Sequence, residues 1–292
     1  MRVGGALARL NPLREKLMGR LPLCPWKAVL TPLSPHSLGG FPPPPDMKVL
    51  EVNGAFHKIR FASCHDFWFP VGVAPSPQLW SEYLTVSWDH LSNGHYYFSS
   101  GTDVRQGDVC LDCGSCEGFF ARMALVKGAT TVICVEPSGD MARALRRTFD
   151  AEIADGRISV EEAGLSAFCG SASFEFSCER PFGGMFSAPG CQGQTVAVTT
   201  LDDLATRLAL NRVDFVKMDL EGAELQALEG GMRTLREFHP RLAITTYHRI
   251  FDYAALRAML IAAGYTKIVP SCVNHHHLAV DGFRPVMLHA SI

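Results

Sequence analysis

The sequence predicts an α/β fold, a mostly parallel sheet with helices on both faces. Three observations carry that expectation. After residue 105, short apolar runs alternate with helical stretches of ten or more residues, the mark of repeated βα units. The chain has 292 residues, 47% of them hydrophobic and 19% charged, enough to bury a substantial core and too apolar for a disordered chain. Apolar residues never run to the length a membrane span needs, so the core belongs to a folded body.

The elements follow in chain order. Residues 1–46 hold nine of the eighteen prolines, ending in Pro42-Pro43-Pro44-Pro45, with six basic residues against two acids. Proline removes a backbone donor, so this stretch reads as a basic, partly ordered arm, able to join two copies in a homodimer. Arg2, Arg9, Arg14, Glu15, Lys16 and Arg20 interrupt every candidate secretory core, which points to the cytoplasm and to plain thiols at the ten cysteines. Residues 47–104 read as a β-rich region with a hairpin at Asn53-Gly54. An aromatic run follows, including Trp68, Trp80, Tyr83, Tyr96 and Tyr97, as a cap over a pocket or a packing element.

Residues 105–292 form the main domain. Strands are expected at 108–112, 131–135, 158–162, 172–176, 195–199, 214–219, 241–247, 266–270 and 285–290. Helices are expected at 116–127, 140–149, 201–210, 224–238 and 253–263. In such sheets ligands bind beyond the carboxyl ends of the strands.

Three strand ends carry chemistry. The first reads Asp112-Cys113-Gly114-Ser115-Cys116-Glu117-Gly118, with glycines that let backbone approach a ligand and expose N–H groups at a helix start. Cys116 stands where a dinucleotide fingerprint needs its second glycine. The turn instead resembles the Asp-x-Gly-x-x-x-Gly turn of methyltransferases that use S-adenosylmethionine. The second strand ends Val135-Glu136-Pro137, where an acid can accept both ribose hydroxyls. In Cys110-x-x-Cys113-x-x-Cys116 the first two thiols face opposite sides of a strand, so no metal cluster is expected.

The third strand end is the most specific: Lys217-Met218-Asp219-Leu220-Glu221-Gly222-Ala223-Glu224. It resembles the hallmark of the FkbM-type methyltransferase family, a Lys-x-Asp-x-Glu-Gly-x-Glu run after a hydrophobic strand. The resemblance covers about residues 100–290, including Thr199 to Leu204, Pro240 to Ile244 and Tyr247-His248. It implies a seven-stranded Rossmann-like sheet and S-adenosylmethionine as cofactor, held by Asp112, Gly114, Ser115, Gly118, Glu136, Pro137 and Asp219. Family members commonly methylate hydroxyls of sugars, glycans or polyketides, and a few methylate nitrogen.

A hydroxyl acceptor must lose its proton as the new bond forms. Asp219 and His248 are the candidates, His248 with the ordinary pKa nearer neutrality. Lys217, Glu221, Glu224 and His276 are candidates for the acceptor site, and no metal is expected because no tight ligand spacing is visible. The acids Asp219, Glu221 and Glu224 also suit a cationic acceptor, so N-methylation of a peptide or amine is the alternative. An inactive cofactor-binding scaffold is the reading outside enzymes. A formal charge of −2, from 27 Lys plus Arg against 29 acids, argues against a nucleic-acid partner.

Overall fold

The structure, a computed structural model, describes residues 47–61, 65–89, 93–99, 101–176, 184–186, 193–249, 252–273 and 285–292, with isolated positions between 13 and 30. Most of the proline-rich arm, and His275, His276 and His277, lie outside the described residues. No described helix is long and apolar enough to cross a membrane.

Residues 47–104 begin with an antiparallel sheet of β1 (Lys48–Asn53), β2 (Phe56–Phe61) and β3 (His65–Pro70). Its first hairpin turns at Gly54, as Asn53-Gly54 led us to expect, with a positive φ of 64° that glycine tolerates. Helix α1 (Pro77–Ser87) opens on a Ser76 cap, whose hydroxyl accepts from the Leu79 amide. Phe61, Phe67 and Phe69 are fully buried and gather around Phe119. Burying each ring is worth about 2–3 kcal/mol over leaving it in water. The aromatic run thus shares one core with the sheet that follows.

That main sheet has the strand order β13-β14-β12-β11-β4-β5-β6. Its members are β4 (Val109–Cys113), β5 (Thr131–Val135), β6 (Ile158–Glu161), β11 (Phe215–Met218), β12 (Arg241–Thr245), β13 (Lys267–Val273) and β14 (Pro285–Ser291). Only β14 runs antiparallel to its neighbours. The chain winds outward through β5 and β6, then returns to β11 on the other side of β4. The order therefore reverses between β4 and β11, the switch point where such sheets open a crevice. Alternation splits the strands between two cores. Cys110, Cys134 and Phe215 join the aromatic side, while Cys113, Val135 and Met218 join the other. Cys110 and Cys113 do face apart.

Around the sheet lie α2 (Phe119–Val126), α3 (Gly139–Thr148), α4 (Asp150–Ala154), α5 (Leu201–Arg207), α6 (Glu224–Glu229), α7 (Met232–Phe238) and α8 (Asp252–Ala262). Two expectations need correction. The helix expected over 224–238 breaks at Gly230-Gly231, where a side chain at Gly230 would meet the Ser166 carbonyl at 2.3 Å. The strands expected at 172–176 and 195–199 leave the βα series. As β8 (Gly170–Phe176) and β10 (Gln194–Thr199) they pair antiparallel in a separate sheet with β7 (Gly164–Leu165) and β9 (Gly184–Phe186). Antiparallel neighbours need no crossover helix, which is why none separates them.

Candidate functional site

A cleft opens beyond the carboxyl ends of β4, β5 and β11, at the switch point. The turn after β4 forms one wall. Gly114 and Ser115 donate their amides to the Val135 carbonyl at 2.9 and 3.1 Å, which ties the turn to β5. Gly114 has φ 78°, and a Cβ there would lie 1.9 Å from the Asp219 carbonyl oxygen. The end of β11 thus requires a glycine here, and Gly114 also lines the cleft. Cys116 follows with φ 45°, an uncommon conformation for a side-chain-bearing residue, and Gly118 caps α2 with φ 80°.

Glu136, at the end of β5, is buried and accepts from the Cys116 amide at 2.9 Å and the Ser138 amide at 2.8 Å. Each oxygen keeps a lone pair for a further donor. Burial pushes its carboxyl up to about 7, against those two amides. Met141, Ala163, Leu165 and Phe174 add an apolar surface beside it. Ser115 and Pro137 line the same cleft.

Asp112 does not, which corrects its expected cofactor contact. It is fully buried beneath the turn, with Lys217 Nζ at 3.2 Å, because the β4–β11 register sets the two residues side by side. Lys217 Nζ also donates to the Gly114 carbonyl at 2.5 Å. Burial works against the ammonium, but Asp112 and Asp219 hold its pKa above the ordinary lysine value. The pair braces the turn from inside.

The far end is built around Asp219. Its Oδ2 accepts from the Tyr97 hydroxyl at 2.5 Å, and His95 Nε2 lies 3.5 Å away. Burial raises the Asp219 carboxyl, yet His95, His248 and Lys217 together hold it well below the usual range. Tyr97 and His95 come from the aromatic region, far away in sequence. Sequence reasoning missed His95 altogether and placed Tyr97 in a cap over a pocket or a packing element, without a contact to Asp219. The one available signal was a pair of polar aromatics, His95 and Tyr97, on alternate positions.

Glu224 organises this end from behind the wall. It is fully buried and its Oε1 accepts from the Leu220 amide at 3.0 Å, the Thr245 hydroxyl at 2.9 Å and His248 Nδ1 at 2.8 Å. It was expected at the acceptor surface; its contacts make it a brace. Glu221 does line the cleft, with φ 51°. His248 sits among carboxylates, its Nε2 3.6 Å from Asp219 and 3.4 Å from Glu221. Burial lowers its pKa, but Glu224 and the other two acids prevail and raise it to about 9. These acids favour the protonated imidazole, which weighs against its expected role as a ready base.

Cys116 lines the cleft, whereas Cys113 and Cys134 are fully buried in the two cores and do not line it. Burial pushes all three thiols upward. Of the lining side chains among the described residues, five are acids (Glu82, Glu117, Glu136, Asp219, Glu221) and Lys217 alone is basic.

The family model of the methyltransferase FkbM domain matches residues 112–267. No curated protein matches the chain. Among solved structures, methyltransferase FkbM from Methylobacillus flagellatus KT is 21% identical with a TM-score of 0.50, over 74% of this chain and 50% of that one. This chain thus spans half the length of that relative, and at such identity the likeness speaks for the fold alone. M. jannaschii TYW2, solved in complex with AdoMet, is 13% identical with a TM-score of 0.42, over 83% of this chain and 88% of that one. A SAM-dependent O-methyltransferase from Thermotoga maritima is 12% identical with a TM-score of 0.38, over 65% and 61%.

Proposed function

The chain belongs to the FkbM methyltransferase family, and from that premise we propose that it methylates a hydroxyl of a sugar, glycan or other small natural product, with S-adenosylmethionine as cofactor. One observation carries the reading: Glu136 and Asp219, from different strands, open on one cleft at the switch point of the sheet.

The residues fit that cofactor by their chemistry. Glu136 has lone pairs left for two ribose hydroxyls, and the apolar surface around Met141 and Leu165 suits an adenine ring. An acid-lined cleft also suits a ligand that is positively charged. The bound cofactor supplies a methyl group activated by a sulfonium. The protein's work is then alignment of the acceptor and exclusion of water. Asp219 accepts the hydroxyl proton while the oxygen–carbon bond forms. Its weak basicity is no obstacle, because an oxygen gaining a methyl becomes strongly acidic. Tyr97, His95 and His248 fix that carboxylate. On this reading residues 105–292 carry the transfer and residues 47–104 wall the acceptor end.

A second reading is N-methylation. Glu82, Glu221 and Asp219 stand with Tyr97 and Tyr247 in the cleft, a setting that attracts an ammonium group. Calorimetry with S-adenosylmethionine, its demethylated product and NAD tests the cofactor class. Binding of both sulfur nucleotides and not of NAD is expected; binding of neither would overturn the proposal. Turnover with hydroxylated against amine acceptors then separates the two readings.

A further inference from the structure

The acceptor end leaves an inconsistency in its hydrogen bonding. His248 Nε2 has no hydrogen-bond partner, although the side chain is 7% exposed and two carboxylates face it. Those oxygens, Asp219 Oδ1 at 3.6 Å and Glu221 Oε2 at 3.4 Å, are too far and too poorly aligned to accept from it. Glu224 Oε2, fully buried, also lacks a partner. An unpaired buried polar atom is costly, so the His248 Nε2 that faces the cleft-lining carboxylates calls for a ligand.

The spacing says which ligand. Adjacent donors that share one ion at about 2.2 Å stand roughly 3.1 Å apart in the octahedral geometry of an oxygen-rich site. His248 Nε2 meets Glu221 and Asp219 a few tenths of an ångström beyond that separation, at 3.4 and 3.6 Å. Glu224 Oε1 already accepts from His248 Nδ1 at 2.8 Å, on the ring edge away from Nε2. That is the carboxylate–imidazole arrangement which orients a metal-binding histidine and fixes its free nitrogen. Three carboxylates around one imidazole also leave excess negative charge, which a divalent ion balances.

We propose that the acceptor end binds one divalent cation between His248 Nε2, Asp219 Oδ1 and Glu221 Oε2, with Glu224 as the orienting residue behind the imidazole. One nitrogen and two carboxylate oxygens suit Mn²⁺, and no thiol takes part. Binding displaces the Nε2 proton to solvent. Asp219 and Glu221 line the cleft, so the ion's open positions face the space where an acceptor oxygen sits. Cation binding stands on these distances alone; its service to an acceptor hydroxyl rests on the proposed methyl transfer.

The test is a titration of the full chain, freed of metal by a chelator, with Mn²⁺ alone, followed by the electron-spin resonance of the free ion. One saturable site per chain is expected. His248→Gln and Glu221→Gln should each weaken it by about tenfold or more, and Glu224→Gln by about tenfold. Calorimetry with S-adenosylhomocysteine on every variant shows that the fold persists; Glu221→Gln, on the cleft wall, keeps the test open should the buried variants misfold. No saturable Mn²⁺ binding, or binding that Glu221→Gln and His248→Gln leave unchanged, overturns the proposal. Mn²⁺ binding without nucleotide binding would sink the methyl-transfer reading and leave the cation site standing.

Discussion

The two ends of the cleft are built in different ways. On the proposed reading one end of the cleft takes the cofactor and the other the acceptor. The cofactor end is local: the turn after β4 and the end of β5 supply Gly114, Ser115, Cys116 and Glu136 within 23 residues, joined by hydrogen bonds to backbone amides. The acceptor end is assembled from afar. Tyr97 reaches Asp219 across 122 positions, and Glu224 joins His248 across 24. The first end is preformed by chain geometry, while the second depends on the packing of residues 47–104 against the sheet.

The sharpest way to break this contrast is at the residue where the ends touch. Gly114→Ala puts a methyl group 1.9 Å from the Asp219 carbonyl at a positive φ, so it should cost about 3 kcal/mol or more, read as a fall in thermal midpoint. A stable variant would mean the two ends are not wedged together. Next comes Glu136→Ala, which removes the expected ribose acceptor. It should weaken S-adenosylhomocysteine binding about a hundredfold by calorimetry, from two lost charge-assisted hydrogen bonds.

Tyr97→Phe tests the other end. Losing a hydrogen bond to a charged group costs about 1.5–3 kcal/mol, so turnover should fall at least tenfold while nucleotide affinity holds. Equal losses in both would show that Tyr97 serves the whole cleft. The smallest effect is with pH. Because burial raises the Glu136 pKa to about 7, the carboxyl is neutral below that value and ionised above it. S-adenosylhomocysteine affinity should therefore fall as pH drops through 7, and Glu136→Gln should flatten the profile.

The same contrast explains what could be read in advance. Strand 131–135 was legible to the residue, because a short apolar run between polar ends admits few other states. The place of Glu136 on the cleft was legible because it follows from its position at a strand end. The break at Gly230-Gly231 was not, since the Ser166 carbonyl that requires it comes from another element. Nor was the burial of Asp112. Both it and Lys217 were singled out as ligand contacts, and only the parallel register made them partners. His248 shows the limit most plainly: its ordinary pKa suggested a base, and three carboxylates that the fold brings around it favour its protonated form.

The sequence by itself determined the α/β class, the family, and the turn and acid of the cofactor end. These depend on periodicity and on residues close along the chain, where covalent geometry does the positioning. The tertiary structure alone decided that Tyr97 and His95 reach Asp219, that Asp112 and Lys217 pair in the interior, and that an unpartnered imidazole nitrogen faces two carboxylates. Those depend on which strands and helices pack together, and electrostatic interactions between side chains fall off with distance in space, not with separation in sequence.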